Sequence, residues 1–465
     1  MLRYPLYQKT AIPWLAEIPS HWALRRNKNV FSEMKDEVGA RSGEYTLLSL
    51  SLKGIIPRDM NGGGKFPASF DKYKIVKNGY MAFCLFDIDE TPRTVGLSKY
   101  DGMLTGAYTI MRIGDIDPKY AYYYYLAVDN RKMMRPLYTG LRKTININTF
   151  QSTKLPVPPA SEQMQIARFL DWKVSSVNKL ISNYRREISS LSEMKQRLID
   201  DAVITGLHQD LLTHNDDFRW EIDYPAHWKI QRVRESFSFR KGLSITKANL
   251  EETGIPVINY GQVHSKKNTG VGLNNDLIRY VNDSYLTTNQ TCLVNKGDFI
   301  FADTSEDLDG CGNCAFVDWD GNIFAGYHSI IAHPNGRMNN KYLAYLFRSS
   351  IWRYQVRKKA NGVKVYSITQ MMLKDAFILV PPIDEQNEIV GYLDEECSKI
   401  DATINGMEEK ILALQEMKAR IIEDAAFGRI DVRGVEIPEY EFVDEDADAD
   451  SDSDDDSDDT EEQEE

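Results

Sequence analysis

Four residues in the second half of the chain have the spacing of a metal site. Cys311-Gly312-Asn313-Cys314, followed by His328 and His333, fits C-x2-C-x13-H-x4-H, the ligand pattern of a zinc finger. In a finger the histidines sit on a helix, whereas here Pro334 follows at once and Asp320-Gly321 signals a hairpin. The matching stretch of the first half, Tyr100 to Ile110, has neither Cys nor His, so zinc is not expected. Gly62-Gly63-Gly64-Lys65-Phe66 looks like part of a phosphate loop. That motif needs Ser or Thr after the lysine to hold magnesium, so a flexible loop is the simpler reading.

Val157-Pro158-Pro159-Ala160 and Val380-Pro381-Pro382-Ile383 are similar to the Asn/Asp-Pro-Pro-aromatic motif of amino-methylating DNA methyltransferases. Both lack the leading amide or acid and the trailing aromatic, and they read as helix punctuation. With no triad spacing, metal cluster or cofactor fingerprint, the sequence points to binding and not to catalysis.

The residues suited to binding are basic and occur at the same place in each half. Arg131, Lys132, Arg135, Arg142 and Lys143 form one group; Arg348, Arg353, Arg357, Lys358, Lys359 and Lys364 form the other. Each brackets a glycine, Gly140 or Gly362, with Tyr138 or Tyr366 close by. Such a loop can approach a phosphate backbone while Arg or Lys reaches base edges. A single charge run is usually a solvated face; the duplication makes these candidates for DNA contact.

Each basic group precedes a stretch that occurs twice. It runs from Pro158-Pro159-Ala160-Ser161-Glu162-Gln163 to Gly206 and again from Pro381-Pro382-Ile383-Asp384-Glu385-Gln386 to Gly428, at an offset of 223 residues that slips by one in the last turn. Leu170, Val174, Val177, Ile181, Tyr184, Ile188 and Leu191 alternate steps of four and three, the seam of a coiled coil. Leu393, Cys397, Ile400, Ile404, Met407, Ile411 and Leu414 keep that register. The pattern predicts two helices of about 43 residues packed together. Ser161 or Asp384 would be the N-cap, Glu162 or Glu385 would face the positive end of the dipole, and a glycine would close each C-terminus.

The region ahead of each helix is also repeated in outline. Ile18-Pro19-Ser20-His21-Trp22 corresponds to Tyr224-Pro225-Ala226-His227-Trp228 at an offset of 206, and Lys119-Tyr120 to Lys341-Tyr342 at 222. Most of the extra residues of the second half therefore fall early in its domain, as expected if two domains read different targets on one scaffold. Strands are expected at Tyr45 to Leu52 and Tyr80 to Leu85, hairpin turns at Asp101-Gly102 and Asp320-Gly321, and helices at Tyr120 to Met133 and Lys341 to Gln355. The fold class is mixed α/β (α+β), with segments 1–157, 158–206, 207–380, 381–428 and 429–465.

Charge is unevenly divided. From Glu436 onward there are 18 acidic residues and no Lys or Arg, which leaves residues 1–435 with 56 basic against 51 acidic and a net charge of +5. The acidic tail, with no large apolar residue after Val443, is expected to be disordered. Five cysteines make no disulfide framework, and no signal or long apolar span is seen, so a cytoplasmic protein is expected.

Trp14-Leu15-Ala16-Glu17-Ile18-Pro19-Ser20-His21-Trp22, the two Pro-Pro-x-x-Glu-Gln helix openings and Gly428-Arg429-Ile430-Asp431-Val432-Arg433-Gly434 together resemble the specificity subunit of type I restriction-modification systems, over almost the whole chain to about Glu436. The resemblance implies two target recognition domains, each reading half of a split double-stranded DNA site. Two helices in an antiparallel coiled coil would hold them apart in pseudo-two-fold symmetry. It implies a subunit with no catalysis or cofactor of its own that directs adenine methylation and DNA cleavage. Two modification subunits would bring S-adenosylmethionine, and restriction subunits with motor and nuclease activity would use ATP and magnesium. A coiled-coil scaffold joining two protein-binding domains is the alternative; an enzyme acting alone lacks any motif.

Overall fold

The computed structural model describes residues 2–59, 66–139, 143–208, 212–214, 222–362 and 365–444. Two long helices dominate, Ala160–Thr205 and Ile383–Ala426, of 46 and 44 residues. All fourteen seam residues are buried or half-buried, while residues such as Lys179, Glu187, Lys399 and Glu409 between them are exposed. The chain divides into two compact units, Met1–Arg186 with Met407–Glu465, and Glu187–Gly406. Each helix gives one half to each unit, and within both units the halves run antiparallel. In the first, Lys418 donates to Asn178 and Lys410 lies over the Tyr184 ring; in the second, Lys195 pairs with Asp401 at 2.6 Å and Ile199 shares a core with Ile389.

Helix starts differ from expectation in a way that explains the repeated motif. Each helix begins before the expected cap, and the carbonyls of Pro159 and Pro382 receive the first amide hydrogen bonds. Ser161 and Asp384 lie inside the first turn and are exposed. Glu162 has a tertiary task. It is buried (4 % exposed) and takes hydrogen bonds from the Tyr4 hydroxyl (2.5 Å), the His21 ring (2.8 Å) and the Trp22 indole (2.9 Å). Glu385 does the same with His227 (2.7 Å) and Trp228 (2.8 Å). Gln163 bridges the Pro158 carbonyl and the Asp117 amide, and Gln386 bridges the Pro381 carbonyl and the Asn339 amide.

The same tryptophans receive the helix ends. Gly428 (φ +70°) and Gly206 (φ +74°) adopt the left-handed form expected of a C-cap, and a Cβ would come within 2.8 Å of Trp22 or 3.0 Å of Trp228. In each unit one indole thus fixes the start of one long helix and the end of the other.

A shorter helix locks each domain to its long helix. On Pro118–Asn130, Lys119 and Tyr123 both bind Asp171, at 2.6 and 2.8 Å; on Asn340–Arg348, Lys341 and Tyr345 both bind Asp394, at 2.7 Å. The second short helix ends sooner than expected. Ser349 is extended, its hydroxyl accepts from the Trp352 amide, and a separate helix, Ser350–Arg357, follows.

The strands repeat as well. Ala23–Arg26 pairs with Lys154–Val157, and Lys229–Arg232 with Phe377–Val380. A four-stranded antiparallel sheet follows, with Phe31–Met34, Thr109–Ile113, Tyr80–Phe83 and Val95–Leu97 in the first unit and Phe237–Lys241, Ser329–Pro334, Phe299–Ala302 and Cys314–Phe316 in the second. The Asp-Gly pairs are not hairpin turns. Gly102–Leu104 pairs with Lys74–Val76 and not with Val95–Leu97, while Cys314–Phe316 and Ile323–Ala325 belong to different sheets. Asp101 instead accepts the Asn78 amide at 2.7 Å.

The units diverge outside this frame. The first adds two strand pairs, one of them Leu48–Ser51 with Gly54–Pro57. The second adds a mixed five-stranded sheet in which Ile255–Ile258 runs parallel to Ile323–Ala325. Residues 445–465 of the acidic tail lie outside the described residues. Glu436 to Asp444, grouped with that tail by charge, instead follow the first long helix. Ser175 donates to the Glu441 carbonyl and accepts the Val443 amide, Asn178 donates to the Val443 carbonyl, and Lys99 pairs with Asp444.

Candidate nucleic-acid interface

In each unit the loop leaving the central strand of the four-stranded sheet meets the loop that carries the basic group. In the first unit the Ile145 amide donates to Leu85, the Asp87 amide donates to Lys143, and Thr139 pairs with Thr144. In the second the Ile368 amide donates to Asp303, and Thr304–Ser305 pairs with Tyr366–Ser367. One backbone arrangement therefore brings an acidic and a basic loop together twice.

The side chains follow the charges. Tyr138 donates to Asp89 at 2.6 Å and, as the main cause, holds its carboxyl below the usual range. Lys143 pairs with Glu90 and, at 3.3 Å, with Asp89, in that order raising its pKa; Arg135 lies 3.7 Å from Asp89. In the second unit Arg353 and Arg357 donate to the Asp309 carbonyl at 3.0 and 2.7 Å, and Arg357 also meets the Asp309 carboxylate at 3.1 Å. Burial first, then the neighbouring Arg348 and Arg357, lowers the Arg353 pKa, and burial lowers that of Lys359. Lys358 stands over the exposed Tyr354 ring.

Other members of the basic groups are engaged inside the fold. Arg131 binds Glu416 (2.6 Å) and Glu423 (3.4 Å) on the second long helix. Lys132, in a left-handed conformation (φ +49°), donates to Asp129, Thr91 and Pro92. Arg348 donates to the carbonyls of Asn268 and Thr269. Arg142, Lys364, Gly140 and Gly62 to Lys65 lie outside the described residues. The Cys and His residues of the zinc-like spacing have other neighbours. Cys314 sits in a strand with its thiol pushed up to about 12 by burial, His328 faces Asp303, and His333 meets Asp298 at 2.6 Å.

The carboxylates were missed by counting positive charge alone. Their signal was present as Asp87, Asp89 and Glu90 and as Asp303, Glu306, Asp307 and Asp309, each directly after a central strand. Two loops of mixed sign can do more than hold phosphates. Cations position a duplex, and carboxylates accept from exocyclic amines on base edges.

The model of the type I restriction modification DNA specificity domain matches residues 84–189 and 225–413, well over half of the chain. The chain belongs to that family. The two matched segments take in both loops and part of a long helix in each half, and in the second half the central strand Phe299–Ala302 as well. Within the family the chain is 25 % identical over 304 residues to the type I restriction enzyme EcoKI specificity subunit of Escherichia coli, covering 59 % of this chain and 60 % of that one. It is 20 % identical over 290 residues to the MjaVIII specificity subunit of Methanocaldococcus jannaschii, covering 62 % and 64 %. The matches thus span less than two thirds of either relative. A solved structure from a study of complex assembly and conformational transition of the type I R-M system shares the fold, with a TM-score of 0.59 at 14 % identity over 89 % of this chain and 99 % of that one. No described helix is long and apolar enough to cross a membrane.

Proposed function

We propose that this protein is a non-catalytic, sequence-specific DNA-binding subunit of a type I restriction-modification complex. Each unit reads one half of a bipartite double-stranded site through its paired acidic and basic loops. Arg142, Lys143, Lys358 and Lys364 are assigned to the phosphate backbone. The chain directs adenine methylation by two modification subunits that bind S-adenosylmethionine, and cleavage by restriction subunits that use ATP and magnesium, in the cytoplasm. The observation that carries this reading is the duplicated loop pair, with one backbone arrangement in both units and different side chains in each.

Mapping methylated adenines in the genome of the source cell, with and without this gene, tests it. A split motif with two defined halves, present only with the gene, is expected. A contiguous motif, or methylation independent of the gene, overturns the reading.

A further inference from the structure

At the end of the central strand of the second unit, one exposed pair of side chains is held in a costly backbone. His328 has φ +52°, a left-handed conformation that few non-glycine residues adopt and that strains an L side chain. Its ring is 58 % exposed and faces the Asp303 carboxylate, itself 35 % exposed, at 3.1 Å. A solvent-exposed contact of this kind contributes too little to offset such strain. The turn is nevertheless tightly fixed. Asp303 donates its amide to the His328 carbonyl and accepts at its own carbonyl from Ile368, Thr304 donates to Asp303 Oδ1, and the His264 ring bonds the Thr304 carbonyl at 2.8 Å. Tyr260 makes edge contacts with Tyr327 and His328.

Beneath the turn Asn259 is 1 % exposed, and neither its amide nitrogen nor its oxygen has a hydrogen-bond partner. It lies so close to Gly326 that any Cβ there would overlap the Asn259 oxygen. An unsatisfied buried amide under a strained turn is a poor design for stability and a common mark of a functional site.

Register identifies the counterpart in the first unit. Phe83 pairs with Thr109 as Phe301 does with Ile330, and Leu85 and Asp303 accept the Ile145 and Ile368 amides, so the corresponding residues are Leu85 and Ala107 in one unit and Asp303 and His328 in the other. The frame is shared and the chemistry at this position is not.

We infer that Asp303 and His328 read one base pair of the second half-site. This rests on the DNA-reading function proposed above. Asp303 Oδ2 accepts a hydrogen bond from an exocyclic amine in the major groove, adenine N6 or cytosine N4, and His328 Nε2 contacts the neighbouring base edge, with Thr304 holding the carboxylate in place.

The test uses cells carrying the complete system with Asp303→Asn or His328→Asn, the latter because asparagine tolerates a left-handed backbone. Methylated adenines are mapped, and purified full-length variants are titrated against the mapped site and its single-base substitutions. One position of the second half-site should lose discrimination by roughly tenfold or more, with the first half-site and the salt dependence on random duplex unchanged. If Asp303→Asn abolishes all methylation, His328→Asn decides on the same criterion. Full discrimination at every position of an intact split motif overturns this assignment alone, as does relaxation in the first half-site. Absence of a split motif in wild-type cells overturns the functional reading with it.

Discussion

The two units agree in the parts that touch the long helices, in the four-stranded sheet and in the paired loops, and differ in the strands added outside them. Trp22 and Trp228, Gln163 and Gln386, and Asp171 and Asp394 make corresponding hydrogen bonds in their own units, yet one unit adds strand pairs where the other adds a five-stranded sheet. The difference teaches where the sequence is constrained. A side chain bound to a helix must keep its chemistry, whereas an outer strand need only pair with its neighbour.

Replacing residues 27–153 with the equivalent region of another family member should have the largest effect, a wholly new sequence in one half of the methylated motif. The other half should be unchanged, and a change in both halves would break the assignment of one unit to one half-site.

The next expectation concerns the unequal carboxylates. Glu162 has three side-chain donors and is buried, while Glu385 has two and is more exposed. Glu162→Gln should destabilise the first unit by about 2 kcal/mol and Glu385→Gln the second by about 1 kcal/mol. Hydrogen exchange resolved by unit measures both, and equal losses would contradict the burial argument.

Acid should separate the units further. In the first unit Tyr138, Arg25, Arg131 and Arg433 hold Asp89, Asp115, Glu416 and Asp431 below their ordinary values. Their stabilisation is present above the ordinary carboxylate range and is lost as pH falls through the depressed folded values. In the second unit Lys399 depresses Glu395, but burial raises Asp200, whose protonation on acidification favours the fold. Hydrogen exchange near pH 3 should therefore show the first unit opening more than the second. The reverse order would count against these pairings.

An effect no larger than that of Glu385→Gln is expected at Ser349. Its hydroxyl donates to Leu346 and accepts from Trp352, so Ser349→Ala should lower the midpoint of the second unit by the equivalent of about 1 kcal/mol. No loss in urea titration would mean the helix break is held by packing alone.

Periodicity made the long helices legible, because a seam repeating in steps of four and three can be satisfied in few ways. The tasks of Glu162 and Gln163 were not legible, since their partners Tyr4, Trp22 and Asp117 are brought near only by the fold. Asp101-Gly102 carried a true local turn signal, but strand pairing is decided over long range, and Gly102–Leu104 found Lys74–Val76. The basic groups were visible as composition. Their carboxylate partners lay about 50 residues upstream, beyond any local pattern.

The paired strands Ala23–Arg26 and Lys154–Val157, with Lys229–Arg232 and Phe377–Val380 in the other unit, have a consequence for inheritance. Entry and exit are hydrogen-bonded neighbours about 5 Å apart, so everything between them is one excursion from the frame that leaves and returns at a single point. Two genetic crossovers, one in the codons of each paired strand, would exchange the whole excursion without disturbing that point, provided the newcomer brings a Lys and a Tyr four residues apart for the waiting Asp. Length is no barrier, because the second excursion already exceeds the first by 17 residues. New specificity can be acquired as a cassette, while the helices on which any partner would depend are inherited unchanged.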